Sequence, residues 1–269
     1  MRIVEMKTPE IWEQEPTFVG MCEHIARCAA LCYNSEPKKG GDAVHFVKRL
    51  AKNGHGRPLE FGAVNMVVTN DEQERLKWVV SRGSWASYVV EDGKMYATVN
   101  LRSLLDYGMR MDDVERLMDN WQGHDLFPKR LTIHYPCISR GIADEIRTHT
   151  TLSTLMRSTR YVSSENEGDV EFVKPYWFND KIVNDMTFHA GLEAIETAYK
   201  DLLANGLKKQ MARELLPLCV KTEMVQCGFD PAWDNMLKLR MGNGAHPDAQ
   251  KIAKMAREAI IKYKTSLEL

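Results

Sequence analysis

Residues 146–161, IRTHTTLSTLMRSTRY, are the seam on which this 269-residue chain turns. Before them, short apolar runs with turn signals predict strands. After them, almost everything carries helical period. Strands in the middle followed by helices in the C-terminal half predict an α+β fold, with a central, mostly antiparallel sheet flanked by helices. The seam also carries chemistry. Hydroxyls at Thr148, Thr150, Thr151, Ser153, Thr154, Ser158 and Thr159 interleave with Arg147, Arg157 and Arg160. A guanidinium fork binds two oxygens at once and Ser/Thr hydroxyls fill the remaining acceptor positions, so the stretch suits a phosphorylated ligand. It also suits a solvated basic face, and composition does not decide between them.

Working outward toward the N-terminus, residues 131–135 (LTIHY) read as a strand, and 112–121 and 101–107 as short helices. Residues 61–69 (FGAVNMVVT), 77–80 and 86–90 read as strands, with Glu91-Asp92-Gly93-Lys94 as a turn before MYATV. Apolar residues at helical spacing over 18–33 are stopped by Asn34-Ser35-Glu36-Pro37, and a second amphipathic helix spans 42–53 with Gly54 ending it. On the C-terminal side, helices are expected over 189–204, 208–226, 232–240 and 247–263. Linkers are short and no internal repeat is visible, so a single domain over 1–269 is expected.

Lysine plus arginine number 36 against 37 aspartate plus glutamate, a net charge of −1, with 44% hydrophobic and 27% charged residues. That balance fits a well-cored globular chain and argues against a disordered or collagenous one, and against a broad nucleic-acid surface. No apolar run approaches membrane-spanning length and Met1-Arg2-Ile3-Val4-Glu5 lacks a signal-peptide core, so no membrane partner and a cytoplasmic location are expected. The six cysteines form no C-x-x-C pair, in keeping with a reducing compartment. His24, Cys28 and Cys32 share one helix face, yet no fourth ligand has motif spacing, so they read as core packing and no metal is expected. Pro136-Cys137 could present a nucleophilic thiolate near Arg140 and Arg147, but a buried strand-end cysteine is the favoured reading. There is no G-x-G-x-x-G, no G-K-[ST], no G-x-S-x-G and no H-E-x-x-H.

Thr148-His149-Thr150, Ser153, and then Ser158-Thr159-Arg160-Tyr161 resemble the Arg-His-Arg-x-x-Ser-x(4)-Ser-x-Arg-Tyr signature of flavin-dependent thymidylate synthases. ARCAALCYNSE resembles the end of that family's N-terminal helix, and NGHGRPLEF (53–61) its Gly-His-x-x-Pro-x-Glu-His segment. VNLRSLLDYG (99–108) resembles an insertion of its longer subgroup, here at about 70–130. ISRGIADEI, ARELLPLCVKTEMVQCGF and DPAWDNMLKLRMGNGAHPDAQ resemble the segments that follow.

The resemblance implies a homotetramer that binds FAD and a deoxyuridine monophosphate between subunits. It implies transfer of a one-carbon unit from methylenetetrahydrofolate to pyrimidine C5, with NADPH as reductant and no enzyme cysteine as nucleophile. By position, Ser158 and Arg160 would hold the nucleotide phosphate, with Arg213 reaching in from a neighbouring subunit. Glu145 would contact the nucleotide. Arg240 would lie against the pyrimidine, where its charge could stabilise an enolate at O4. His55, His149, Ser153 and Asn235 would lie on the flavin side, with Asn100 and Arg102 as further candidates.

The chain also departs from the pattern. Thr148 and Thr150 replace the two arginines, Met156 replaces a Gln or Glu, Arg157 adds a charge, and Phe61 replaces the histidine after Glu60. Three functions follow: methylation of dUMP, hydroxymethylation of dUMP or dCMP by capture of water instead of hydride, and nucleotide binding without catalysis.

Overall fold

The computed structural model describes residues 1–68, 85–119, 126–159, 170–179 and 181–267. Its strands are β1 (Arg2–Val4), β2 (Glu10–Trp12), β3 (Ala63–Val68), β4 (Ala86–Glu91), β5 (Lys94–Asn100), β6 (Arg130–Ser139), β7 (Ser153–Met156), β8 (Glu171–Val173) and β9 (Lys221–Phe229). A four-stranded antiparallel sheet runs in the order β2-β6-β9-β7, a three-stranded antiparallel sheet in the order β3-β5-β4, and β1 pairs with β8 in parallel. The α+β class is therefore observed. Residues 77–80, expected to be a strand, lie outside the described residues.

Local chemistry sets most boundaries. The helix Phe18–Tyr33 starts where the Thr17 side chain accepts from the Gly20 amide, and stops where Asn34 adopts φ 51°, a left-handed cap. The β4–β5 hairpin closes through Asp92 (φ 49°) and Gly93 (φ 73°), the two positive values that a two-residue turn matching strand twist demands. Helices Gly40–Lys52, Leu101–Asp106 and Met111–Asp119 agree with expectation to within a few residues. Ile182–Ala204 starts earlier than expected and Pro247–Leu267 ends later.

One expectation is overturned. Residues 208–226 are not a helix: helical turns at Lys209–Ala212 and Arg213–Leu215 give out before Pro217, and Lys221–Phe229 is β9, an inner strand of the four-stranded sheet. Met224, Val225, Gln226, Cys227, Gly228 and Phe229 are all buried, on both faces. A strand covered on both sides shows a continuous apolar run, and such a run does not alternate in the way that identifies a strand from sequence.

Pro136, which has no N–H to give the ladder, sits where the β6–β9 register shifts between Tyr135 and Ile138. The Cys137 thiol beside it is buried, donates to the Glu5 carbonyl at 3.2 Å, and is pushed up by burial, the opposite of an activated nucleophile. His24 and Cys28 lie on the buried face of their helix, the imidazole on Thr132 Oγ1 at 3.1 Å.

Among the described residues the core has four parts, one of them a cluster of Val170, Phe172, Leu192, Tyr199, Ala212 and Val220 around β8 and the helix Ile182–Ala204. Ile133, Tyr135, Ile138 and Met224 of the large sheet pack on Trp233, Ile252 and Ala256 of the C-terminal helices. Met21, Ile25, Val47, Val64 and Val99 join the N-terminal helices to the small sheet. Trp12, Cys28, Leu31, Phe61, Leu155, Val225 and Cys227 lie between. Phe61, apolar where the resembled family has a histidine, belongs to this middle cluster. No described helix is long and apolar enough to cross a membrane.

Candidate active site

The two inner strands of the large sheet both lead into helices, and those helices set the site. At the end of β6, Ser139 accepts from the Ile142 amide and starts the helix Arg140–Ile146, which carries Glu145. The turn that follows carries Thr148 and His149, before β7 begins at Ser153. At the end of β9, Pro231 stands in the first turn of the helix Asp230–Arg240, where its missing N–H is not required. Trp233 pins that helix to the sheet, its indole N–H reaching Leu131 O at 3.3 Å and Gly228 O at 3.1 Å. Arg240 therefore emerges from the helix C-terminus directly over the Glu145–His149 turn.

Four hydrogen bonds fix its guanidinium. Nε donates to His149 Nε2 at 2.9 Å, Nη1 to Glu145 Oε2 at 3.1 Å, and Nη2 to Glu145 O at 2.7 Å and Thr148 Oγ1 at 3.0 Å. A guanidinium has five N–H donors, so one remains for a ligand. His149 must accept at Nε2 and so carries its proton on Nδ1 as a neutral imidazole. Burial first, and then the charge of Arg240, hold it below the usual histidine range. Thr148, which replaces an arginine of the resembled signature, is thus the hydroxyl that receives Arg240.

Arg240, Glu145 and Thr148 line a cavity of about 570 Å³ with Asp144, Lys174, His246 and Asp248 among its polar walls. Burial raises the Asp248 carboxyl above its ordinary value, and its Oδ2 accepts from the Tyr176 amide at 3.2 Å.

The remaining candidates are placed as follows. Arg213 Nη1 donates to Thr159 Oγ1 at 3.0 Å within the same chain, beside Ser158, whose own amide donates to Cys32 O at 3.2 Å. Arg160 lies outside the described residues. Ser153 is buried at the start of β7. His55 precedes the short helix Gly56–Leu59, and both it and Asn235 are exposed. Asn100 is fully buried and its side-chain oxygen accepts from the Ser103 amide. Arg102 holds the buried Glu60 at 2.6 Å. Among the described residues, no hydrogen bond joins His55, Asn100, Arg102 or Asn235 to the Arg240 cluster.

Arg157, the extra charge in the signature, pairs with Glu223 at 3.0 Å and with Asn34 at 2.6 Å. Lys174, His246 and Asp248 were not singled out from the sequence. Lys174 follows shortly after the seam, and His246 and Asp248 belong to the resembled segment 230–250, but the fold is what brings them into one cavity with Arg240.

Residues 113–263 match the family described as thymidylate synthase complementing protein, and the chain belongs to that family. A flavin-dependent thymidylate synthase of Wolinella succinogenes is 30% identical over 136 residues, covering 49% of this chain and 66% of that relative. Among solved structures, thymidylate synthase X of Helicobacter pylori with FAD and dUMP has TM-score 0.39 and 22% identity over 48% of this chain and 66% of its own. A UMP/dUMP methylase, PolB of Streptomyces cacaoi bound with 5-Br dUMP, has TM-score 0.46 and 14% identity over 97% of this chain and 93% of its own.

Proposed function

We propose that this protein transfers a one-carbon unit from methylenetetrahydrofolate to C5 of a pyrimidine deoxynucleotide, methylating dUMP to dTMP with FAD as cofactor and NADPH as reductant. The observation that carries the reading is Arg240, its charge fixed by Glu145, Thr148 and His149 at the wall of a cavity of about 570 Å³. Loss of the proton from pyrimidine C5, which lies α to the C4 carbonyl, builds enolate charge at O4. A donor that is already oriented stabilises that charge without reorganising, a contribution of about 3–4 kcal/mol where such donors have been removed from other enzymes. His149 stays neutral and serves as the acceptor that aims Arg240. Ser158, Arg160 and Arg213 hold the phosphate end, as their side chains suit. The active unit is a homotetramer with its sites between subunits, each chain forming one domain.

Beside the signature turn, arginines and threonine hydroxyls line a second cavity whose described lining includes no carboxylate, which suits a phosphate-bearing group. When bound, FAD supplies the hydride that completes the methyl group.

A second reading rests on Thr148 and Thr150, which bring no charge to the turn: the one-carbon unit ends as a 5-hydroxymethyl group by capture of water. One assay separates the two. The protein is incubated with dUMP or dCMP, methylenetetrahydrofolate and FAD, with and without NADPH, and the product is weighed by mass spectrometry. Methylated dUMP that requires NADPH is the expected result. A hydroxymethyl product formed without NADPH selects the second reading. A protein that takes up no flavin and yields neither product overturns both.

A further inference from the structure

The turn that holds Arg240 has a second side. There Arg57, Arg147, Thr150, Leu152, Thr154 and Met156 enclose a cavity of about 250 Å³. Two arginines and two threonines line it together with Leu152 and Met156, and among the described residues no carboxylate does. The larger cavity is the electrostatic opposite, with Asp144, Glu145 and Asp248 set against Lys174 and Arg240. A doubly charged phosphate is poorly served there and well served beside Arg57 and Arg147.

Both arginines are held from behind. Arg57 Nη1 bonds Glu60 Oε2 at 2.8 Å, and the fully buried Glu60 is itself fixed by Arg102 at 2.6 Å. Gly56 lets this loop lie close, since a Cβ there would come within 2.8 Å of Arg102 Nε. Arg147 Nε bonds Asp144 Oδ1 at 2.7 Å. Each anchoring bond uses one nitrogen and leaves the rest of the fork available, so the pair is oriented without being consumed. Thr154 Oγ1 accepts from Gln226 Nε2 at 3.0 Å and donates its one proton to Leu152 O at 3.4 Å, so it shapes the wall and leaves the donor roles to the arginines and Thr150.

We propose that Arg57 and Arg147, with the Thr150 hydroxyl, form a binding site for the phosphate group of a nucleotide ligand, replacing the charge that positions 148 and 150 do not provide. This rests on the nucleotide-and-flavin reading above. The phosphate belongs either to the diphosphate bridge of FAD or to the 5′-monophosphate of the pyrimidine nucleotide, in which case this site takes the place of Ser158, Arg160 and Arg213, and the chemistry of the site is the same for both.

The test measures binding to the full-length protein, with no turnover. FAD is titrated by flavin fluorescence and dUMP by calorimetry, against wild type, Arg147→Ala and Arg147→Lys. Arg147 is the primary target because its partner Asp144 is partly exposed, whereas Arg57→Ala strips a buried carboxylate of one partner. Arg147→Ala is expected to weaken one of the two ligands by about tenfold or more, with most of the loss restored in Arg147→Lys. A loss confined to FAD assigns the diphosphate, and a loss confined to dUMP assigns the monophosphate. Unchanged affinity for both, in a variant with wild-type circular dichroism and melting temperature, overturns the proposal. If wild type binds neither ligand, the functional reading fails on its own and inorganic pyrophosphate decides the site. Pyrophosphate binding that Arg147→Ala abolishes upholds the site, and no binding by wild type removes it.

Discussion

Replacing Arg240 by alanine would leave Glu145, Thr148 and His149 without the group that gathers them. If its charge acts on the transition state, turnover should fall about 10²- to 10³-fold while nucleotide affinity changes much less. Steady-state kcat and KM measured together with direct nucleotide binding check this, and a loss confined to affinity would remove Arg240 from the chemistry. A second readout needs no substrate. The neighbouring charge is one of two causes that hold His149 low, so Arg240→Ala should move the imidazole titration upward, observed by NMR. Burial, the larger cause, remains, so the shift should stop short of the ordinary value.

A buried polar contact, His24 to Thr132, joins the helix Phe18–Tyr33 to the large sheet. Burial pushes His24 down from an ordinary 6.5 to about 4, so the folded protein keeps it neutral where the unfolded chain binds a proton. Its contribution is complete above pH 6.5 and is lost as pH falls from there toward 4, on the order of 3 kcal/mol over the whole interval. Urea unfolding across that range should show the decline, and His24→Gln should flatten it. An identical slope in the variant would place the acid sensitivity elsewhere. The start of the same helix is tight. A Cβ on Gly20 would lie 2.4 Å from Glu15 Cβ and 2.8 Å from the Glu15 carbonyl oxygen, which is backbone and has little room to yield. Gly20→Ala should therefore cost about 1–3 kcal/mol, read from the same unfolding curves.

Over the whole molecule, the middle cluster decides whether the N-terminal and C-terminal cores unfold as one. Phe61 is 1% exposed and packs there with Trp12, Leu155 and Val225. Phe61→Ala should cost about 3–5 kcal/mol, as large core truncations do. In wild type, fluorescence and circular dichroism should report a single transition. Two separated transitions would show that the two cores are independent units and that the chain is not one cooperative domain.

The sequence by itself determined the elements whose causes are local. The helix 18–33 was legible because its cap, its period and its stop lie within one stretch, and the hairpin at Asp92-Gly93 because a two-residue turn states its own backbone requirement. The resemblance likewise pointed to Arg240 and His149, which the fold brings into hydrogen-bond contact. The tertiary structure alone decided the rest. Whether residues 221–229 form helix or strand depends on cover from both faces, which no window of the sequence contains. Glu145 and Arg240 stand 95 positions apart, and their contact exists because β6 and β9 lie side by side and each leads into a helix at the site. Arg57 and Arg147 share a cavity because the short helix Gly56–Leu59 packs beside β7, which follows the turn after Arg147. Charges far apart along the chain gain a common function only when burial of the sheet fixes the distance between them.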